Sequence, residues 1–296
     1  RRITATSLEI QLKLKNRHGV QRTLTLEEQF LSSIDSTDFK DICQGNIEFF
    51  KHYLQANFNY SAFCNRTARA KNPLQQFDDL TSYMALYGLA HYQRMRTIID
   101  YVQVMPHFKI TQPIEACVVD YGCGQGIASL AFIDHLIESK LQIKCLKLVL
   151  IEPSAHALKR AVYWIEKKAK AAEINIEVIA LACTFDELEP DYLASNIKQY
   201  PCFHLFNNIL DMYSAGIFSL SKLTQLIKMQ PNENFIFAVS PDFSSGNRGF
   251  DALHELTRPN TIYLNTTGTI EVEEYRYTSQ KTSMRKAPVR VYAAKL

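Results

Sequence analysis

The stretch Ala116-Cys-Val-Val-Asp120-Tyr-Gly122-Cys-Gly124-Gln-Gly126 limits what this chain can fold into more than any other. An apolar run ends in an acid, three glycines alternate with single residues, and an apolar helical pattern begins at Ile127. Glycine tolerates the positive φ of a tight turn and puts no Cβ between the backbone and a ligand. A buried strand that turns over glycine straight into a helix belongs to an open α/β sheet, which binds ligands at the C-terminal ends of its strands. The spacing is G-x-G-x-G. A dinucleotide fingerprint requires G-x-G-x-x-G, and the position of its third glycine is here Ile127. The phosphate-loop pattern G-x-x-x-x-G-K-[ST] is absent. Asp120 at the mouth of such a loop disfavours a bound phosphate and favours a cationic ligand.

The surrounding pattern agrees with an open sheet. From Pro113 onward, short apolar runs alternate with helical stretches at 116–121, 127–139, 145–151, 155–172, 174–182, 215–229 and 234–239, as in a parallel sheet with helices on both faces. Ser154 is the expected N-cap of the helix at 155–172. Thr261–Leu264, Ile270–Tyr275 and Val289–Ala293 read as antiparallel strands, with Thr267-Gly268 as a turn. The first 112 residues differ. Alternating Leu8, Ile10, Leu12 and Leu14 predict a strand, Asn16–Gly19 a turn and Val20–Leu24 a partner strand. Thr25 and Glu28 form a capping box, a helix follows over 38–56, the composition of 57–76 reads as loop, and a Tyr-rich helix spans 78–104 before Pro106.

A second acid strengthens the glycine loop. The strand at 145–151 ends in Glu152-Pro153, and an acid at that strand tip accepts hydrogen bonds from a ribose diol. With Asp120, Gly122, Gly124, Gly126 and Glu152 in place, residues 113–243 resemble the class I S-adenosylmethionine-dependent methyltransferases, and the likeness in topology extends to 296. The resemblance implies an α/β fold: a seven-stranded, mostly parallel sheet with helices on both faces and an antiparallel C-terminal strand, here preceded by a mainly helical N-terminal cap. It divides the chain into a cap for acceptor recognition over 1–112 and an S-adenosylmethionine-binding domain over 113–296.

The resemblance also implies a cofactor site formed by Asp120, Tyr121, Gly122, Gly124, Gly126, Glu152, Pro153, Thr184, Phe185, Asn207 and Asn208. At the corner after the third strand, Phe185 stacks on the adenine and Asp186 accepts from its amine; the alternative has Thr184 capping a turn, Phe185 in the core and Asp186 in water. After the fourth strand, Asn207 lines the cofactor pocket, and Asn208, Asp211 and Tyr213 face the acceptor. Asp211, Tyr213 and His91 are the candidate general bases, although His91 also reads as a packed helix residue. Neither the [DNS]-P-P-[YFW] motif nor a Pro-Cys nucleophile after the fourth strand is present, and no cluster has metal-ligand spacing.

The implied activity is in-line transfer of a methyl group from S-adenosylmethionine to a small or medium-sized acceptor. The alternatives are an RNA or protein acceptor, and a catalytically silent scaffold. A net charge of +3 is mild for a dedicated nucleic-acid binder. Its basic clusters (Lys13, Lys15, Arg17 and Arg22; Arg66, Arg69 and Lys71; Arg285, Lys286 and Arg290) read as solvated faces or, for an RNA acceptor, as one contact face. Seven scattered cysteines without a C-x-x-C pair, and an N-terminus without an apolar stretch, lead to the expectation of a reduced, cytoplasmic protein. Cys117 and Cys145 are expected as core filler. No run of about 18 apolar residues is present, so no membrane span is expected.

Overall fold

The computed structural model describes residues 13–15, 21–68, 70–103, 113–189 and 200–296. Leu8, Ile10, Leu12, the Asn16–Gly19 turn, Arg69 and Pro106 lie outside them. Strands β1 (Lys13–Lys15) and β2 (Gln21–Thr23) pair antiparallel, where the two predicted strands reach the described residues.

Helix α1 (Leu26–Ser33) opens with the expected capping box: Thr25 Oγ1 accepts from the Glu28 N–H at 3.2 Å, and the Thr25 N–H donates to Glu28 Oε2 at 2.9 Å. Helix α2 (Phe39–Phe49) is capped by Asp38 and widens into a π-helical turn, Phe50–Leu54. The loop expected over 57–76 holds a helix instead, α3 (Tyr60–Thr67). Asn59 caps it, its Oδ1 accepting from the Ala62 N–H at 2.9 Å, and left-handed Ala68 ends it. Asparagine is as much a helix N-cap as a loop residue, and composition does not separate the two. Helix α4 (Phe77–Val102) matches the predicted Tyr-rich helix and ends at left-handed Gln103.

The remaining elements are β3 (Ile114–Tyr121), α5 (Ile127–Glu138), β4 (Ile143–Ile151), α6 (Ala155–Ala171), β5 (Ile176–Leu181), β6 (Cys202–Asn207), α7 (Leu220–Lys228), β7 (Asn234–Pro241), α8 (Ser244–Thr257), β8 (Thr261–Arg276) and β9 (Lys281–Lys295). The seven strands of the main sheet lie in the order β5-β4-β3-β6-β7-β9-β8. The five from β5 to β7 are mutually parallel, and β9 runs antiparallel to both of its neighbours. This is the expected mostly parallel sheet with a reversed strand near the C-terminus.

The C-terminal strands are two rather than three. Thr267 and Gly268 sit within the β8 ladder, opposite Arg290 and Val289, and the chain turns at Tyr277–Gln280. An edge strand accepts turn-type residues because its outer side has no partner to lose.

Alternation along the strands splits the core in two. Ala116 and Val118 of β3 join an apolar cluster that also takes in residues of α1, α2, α4, α5 and α6. Cys117, Val119 and Tyr121 point the other way, into a cluster with α7 and α8. Helices thus cover both faces. Cys117 is fully buried as expected, whereas Cys145, near the start of its strand, is half-buried. Arg160 of α6 ties the first cluster to the glycine loop. It is 0% exposed, holds Glu27 through two hydrogen bonds, and also reaches Gln125 Oε1 and Thr81 Oγ1.

The chain leaves β3 toward β4 and β5 on one side, then crosses to β6 and β7 on the other. The β3–β6 boundary is therefore the topological switch point, where an open sheet forms a crevice beyond its strand ends.

Candidate functional site

Register brings the predicted residues to that boundary. Tyr121 lies opposite both Ile151 and Phe206. The residues that follow each of them, Gly122, Glu152 and Asn207, therefore leave the sheet at one level. They line a crevice of about 80 Å³ together with Gly124, Asn208 and the Asn72–Leu74 segment. Ser154 holds that segment by donating from Oγ to the Leu74 carbonyl.

The glycines of the loop serve different ends. All three have positive φ: +63° at Gly122, +52° at Gly124 and +82° at Gly126. A Cβ on Gly126 would stand 3.0 Å from Ala161 Cβ, so this glycine lets α5 and α6 approach closely. A Cβ on Gly122 would meet Ile209 Cδ1 at 2.8 Å. At Gly124 it would meet nothing within 4 Å, so only this glycine holds bare backbone against open space.

Glu152 closes the loop. Its Oε2 accepts from the Gly124 N–H at 3.0 Å and its Oε1 from the Ser154 N–H at 2.9 Å. Each oxygen keeps a lone pair. Burial pushes the carboxyl above its ordinary range, and the two backbone donors partly oppose that rise. Glu152 is the charged side chain among the described crevice residues, and no Lys or Arg lines it. Such a crevice suits hydroxyl donors or a cation and disfavours a pyrophosphate.

Several residues expected in the cofactor site stand elsewhere. Asp120 is not at the mouth. It is 1% exposed beneath the loop, where its Oδ2 accepts from both the N–H and Oγ of Ser129 in the first turn of α5. Tyr121 follows the strand alternation into the core, stacks on Phe206 and bonds His204 Nδ1 through its hydroxyl. Pro153 is exposed. At the corner after β5 the alternative reading matches the geometry. Thr184 caps a 3₁₀ turn with Glu187, Phe185 packs edge-on against Tyr121 and Phe218, and exposed Asp186 accepts from the Ser219 N–H. A strand-end position does not fix which way a side chain leaves the strand, and these residues left toward the core or water.

Burial pushes the Asp120 carboxyl up to about 7, the Ser129 bonds opposing that rise and Glu152 adding to it. Its ordinary value is 3.8. Between those pH values the folded protein holds a proton that the unfolded chain has released, so stability is full below the lower value and is lost as pH rises through the upper one. Asp120→Asn keeps an acceptor for Ser129 and removes the charge. Its denaturation midpoint is expected to change little between pH 5 and pH 8, whereas the parent loses more than about 1 kcal/mol over the same range. Urea titrations at the two pH values check this.

The crevice adjoins a larger cavity of about 410 Å³, within the range that small-molecule sites occupy. Ala70, Tyr83, Asn208 and Met212 line both. The larger cavity is walled by α3 (Tyr60, Phe63), α4 (Tyr87, His91), the chain after β6 (Asp211) and Pro241. Tyr83, Tyr87 and His91 share one face of α4 at four-residue spacing. Tyr87 stacks on His91, and the Tyr83 hydroxyl lies 3.4 Å from His91 Nδ1. Burial holds His91 well below its ordinary pKa, with Arg94 adding to the effect, so its imidazole is neutral. Burial raises the Asp211 carboxyl, whose Oδ1 accepts from Ser240 Oγ at 3.1 Å.

Asn207 reaches the His91 carbonyl and accepts from Asn208, whose φ is +57°. Of the three candidate bases, His91 and Asp211 face the cavity, while Tyr213 packs near Phe218 outside its wall. Sequence reasoning missed Arg94, which contacts Asn208 from α4, and the part played by α3. The spacing of residues 83, 87 and 91 was the one signal pointing to that helix face.

In the second and third basic clusters three arginines are paired among the described residues. Arg66 pairs with Asp79, Arg285 with Glu274, and Arg290 with Asp251. No described helix is long and apolar enough to cross a membrane.

No protein-family model matches the sequence, and no curated protein does. Among solved structures, the chain is similar to the plantazolicin methyltransferase BpumL in complex with SAH, at 13% identity over 92% of this chain and 99% of that one, with a TM-score of 0.38. A putative precorrin-6Y C5,15-methyltransferase domain from Corynebacterium diphtheriae is similar at 13% identity over 68% and 95%, with a TM-score of 0.39. A geranyl diphosphate methyltransferase in complex with GPP and sinefungin is similar at 10% identity over 84% and 98%, with a TM-score of 0.37. At these identities and TM-scores the likenesses carry no weight for function.

Proposed function

We propose that this protein is an S-adenosylmethionine-dependent methyltransferase acting on a small or medium-sized acceptor. One observation carries the reading: a crevice with Glu152 and bare Gly124 at the switch point of the sheet shares a wall with an aromatic cavity. The first, at about 80 Å³, suits the ribose of an adenosyl ligand and the second an acceptor. The fit of the cofactor rests on the open space over Gly124, the spare lone pairs of Glu152 and the absence of described cationic side chains along the crevice.

Bound S-adenosylmethionine supplies an activated, positively charged methyl donor. The chain itself supplies position and dryness. Glu152 takes the ribose hydroxyls, Gly124 lets the backbone approach, and Asn207 and Asn208 stand where crevice and cavity meet. Tyr83 and Tyr87 wall the acceptor and exclude water, leaving it free to take up a near-attack geometry. An acceptor that must lose a proton finds two bases, neutral His91 and Asp211. The N-terminal region, residues 1–112, selects the acceptor, since α3 and α4 wall most of the cavity.

Calorimetric titration with S-adenosylhomocysteine tests the reading, with one molecule bound per chain as the expected result. No heat at millimolar ligand would favour a silent scaffold. A steep salt dependence of acceptor binding would favour RNA, against which stands the pairing of Arg66, Arg285 and Arg290.

A further inference from the structure

One charged group, which touches Asn208 behind the wall shared by the two cavities and is not itself among their lining residues, is left unused by this reading. Arg94 lies on α4 three residues beyond His91 and is 5% exposed. Its Nη1 donates to Asn208 Oδ1 at 3.4 Å, and its buried Nε has no hydrogen-bond partner. Arg66, Arg96, Arg160, Arg285 and Arg290 each pair with a carboxylate. Arg94 makes no such pair among the described residues. Burial pulls its pKa down to about 10, a direction that Arg285 reinforces and that Tyr83 and Asp211 oppose. A guanidinium buried without an anion is costly, and a bound anion relieves that cost.

We propose that Arg94 anchors a carboxylate of the methyl acceptor, and that the acceptor is a ring-sized carboxylic acid whose ring lies among Phe63, Tyr83 and Tyr87. The proposal rests on the reading of the larger cavity as the acceptor site. The charge balance selects a monoanion. Arg94 is one cation with no carboxylate paired to it among the described residues, Arg285 is already neutralised by Glu274, and the Asp211 carboxyl, which favours the charged form of Arg94 from a distance, is held by Ser240. A phosphate dianion therefore has too little positive charge to meet. A carboxylate also suits the fork of the guanidinium, where Nε offers a free donor beside the Nη edge. Asn208 is the hinge of the argument. It lines both cavities and takes the single weak bond that Arg94 makes, so a carboxylate arriving from the larger cavity displaces a poor partner with a good one.

The probes are 4-hydroxybenzoate and its uncharged counterpart 4-hydroxybenzamide, each titrated into the full chain by calorimetry with and without saturating S-adenosylhomocysteine. The acid is expected to bind at least about tenfold more tightly than the amide, as befits a charge-assisted hydrogen bond. Arg94→Gln is expected to erase that preference, Arg94→Lys to keep part of it, and both to leave the affinity for S-adenosylhomocysteine unchanged. Equal binding of acid and amide, no binding of the acid at millimolar concentration, or a loss of S-adenosylhomocysteine affinity in Arg94→Gln overturns the proposal; the last would assign Arg94 to the carboxylate of the cofactor. A parent protein that prefers the acid but fails to bind S-adenosylhomocysteine instead overturns the methyltransferase reading and leaves the carboxylate site standing. The acid-over-amide comparison needs no variant, so misfolding of Arg94→Gln does not remove the test.

Discussion

Gly124→Val is expected to leave the protein folded and to remove measurable binding of S-adenosylhomocysteine, whereas Gly126→Val, two residues on, is expected to lower its stability by about 2–5 kcal/mol. The two substitutions are chemically identical and both fall at positive φ, so backbone strain is shared, at about 1–2 kcal/mol for a left-handed non-glycine residue. What differs is where the new Cβ points. From Gly126 it strikes Ala161 Cβ at 3.0 Å and Ala161 Cα at 3.1 Å, and backbone cannot retreat without prising α6 from the loop. Overpacking of this kind adds about 1–3 kcal/mol to the strain. From Gly124 the branched side chain enters the open crevice, costs the fold little more than the strain, and occupies the space proposed for the adenosyl group. The expected loss of affinity exceeds 100-fold, or about 2.7 kcal/mol. Melting temperatures paired with calorimetry on both variants check the contrast. If Gly124→Val binds normally, the crevice is not the cofactor site.

Glu152→Ala is expected to weaken S-adenosylhomocysteine binding by about 1.5–3 kcal/mol, the value of hydrogen bonds to a charged group. The geometry gives two routes to that loss. The carboxylate lone pairs left over by the Gly124 and Ser154 N–H groups are the proposed acceptors for a ribose diol. The same carboxylate also tethers the glycine loop to the tip of β4. Glu152→Gln separates the routes. Its amide oxygen can keep one backbone bond while the charge is lost, so an intermediate affinity with an unchanged melting temperature would mark the direct contact as dominant. An unchanged dissociation constant in Glu152→Ala would remove Glu152 from the site.

The parts of the site that were legible in the sequence are those where backbone geometry dictates residue type. Positive φ at three alternating positions is written as glycine, and the end of an apolar run marks the strand tip from which Glu152 projects. Helix α4 was legible as a Tyr-rich run closed by Pro106. Direction was harder to read. Asp120 and Tyr121 end the same strand, yet both turn away from the crevice, Asp120 under α5 and Tyr121 into the core. Helix α3 was hidden because Asn59 serves caps and loops alike, and Thr267-Gly268 misled because an edge strand tolerates turn residues. Arg94 was invisible for another reason. Its burial and its lone contact depend on Asn208, far along the chain, and only the crossover from β5 to β6 brings the two together.

A crystal structure with S-adenosylhomocysteine bound tests the central claim most directly. The account predicts the adenosyl ribose within hydrogen-bonding distance of Glu152, its edge against the Gly124 backbone, and the sulfur directed past Asn208 toward the cavity lined by Tyr83 and His91. Density for the ligand elsewhere, or a crevice that stays empty at saturating ligand, would contradict it.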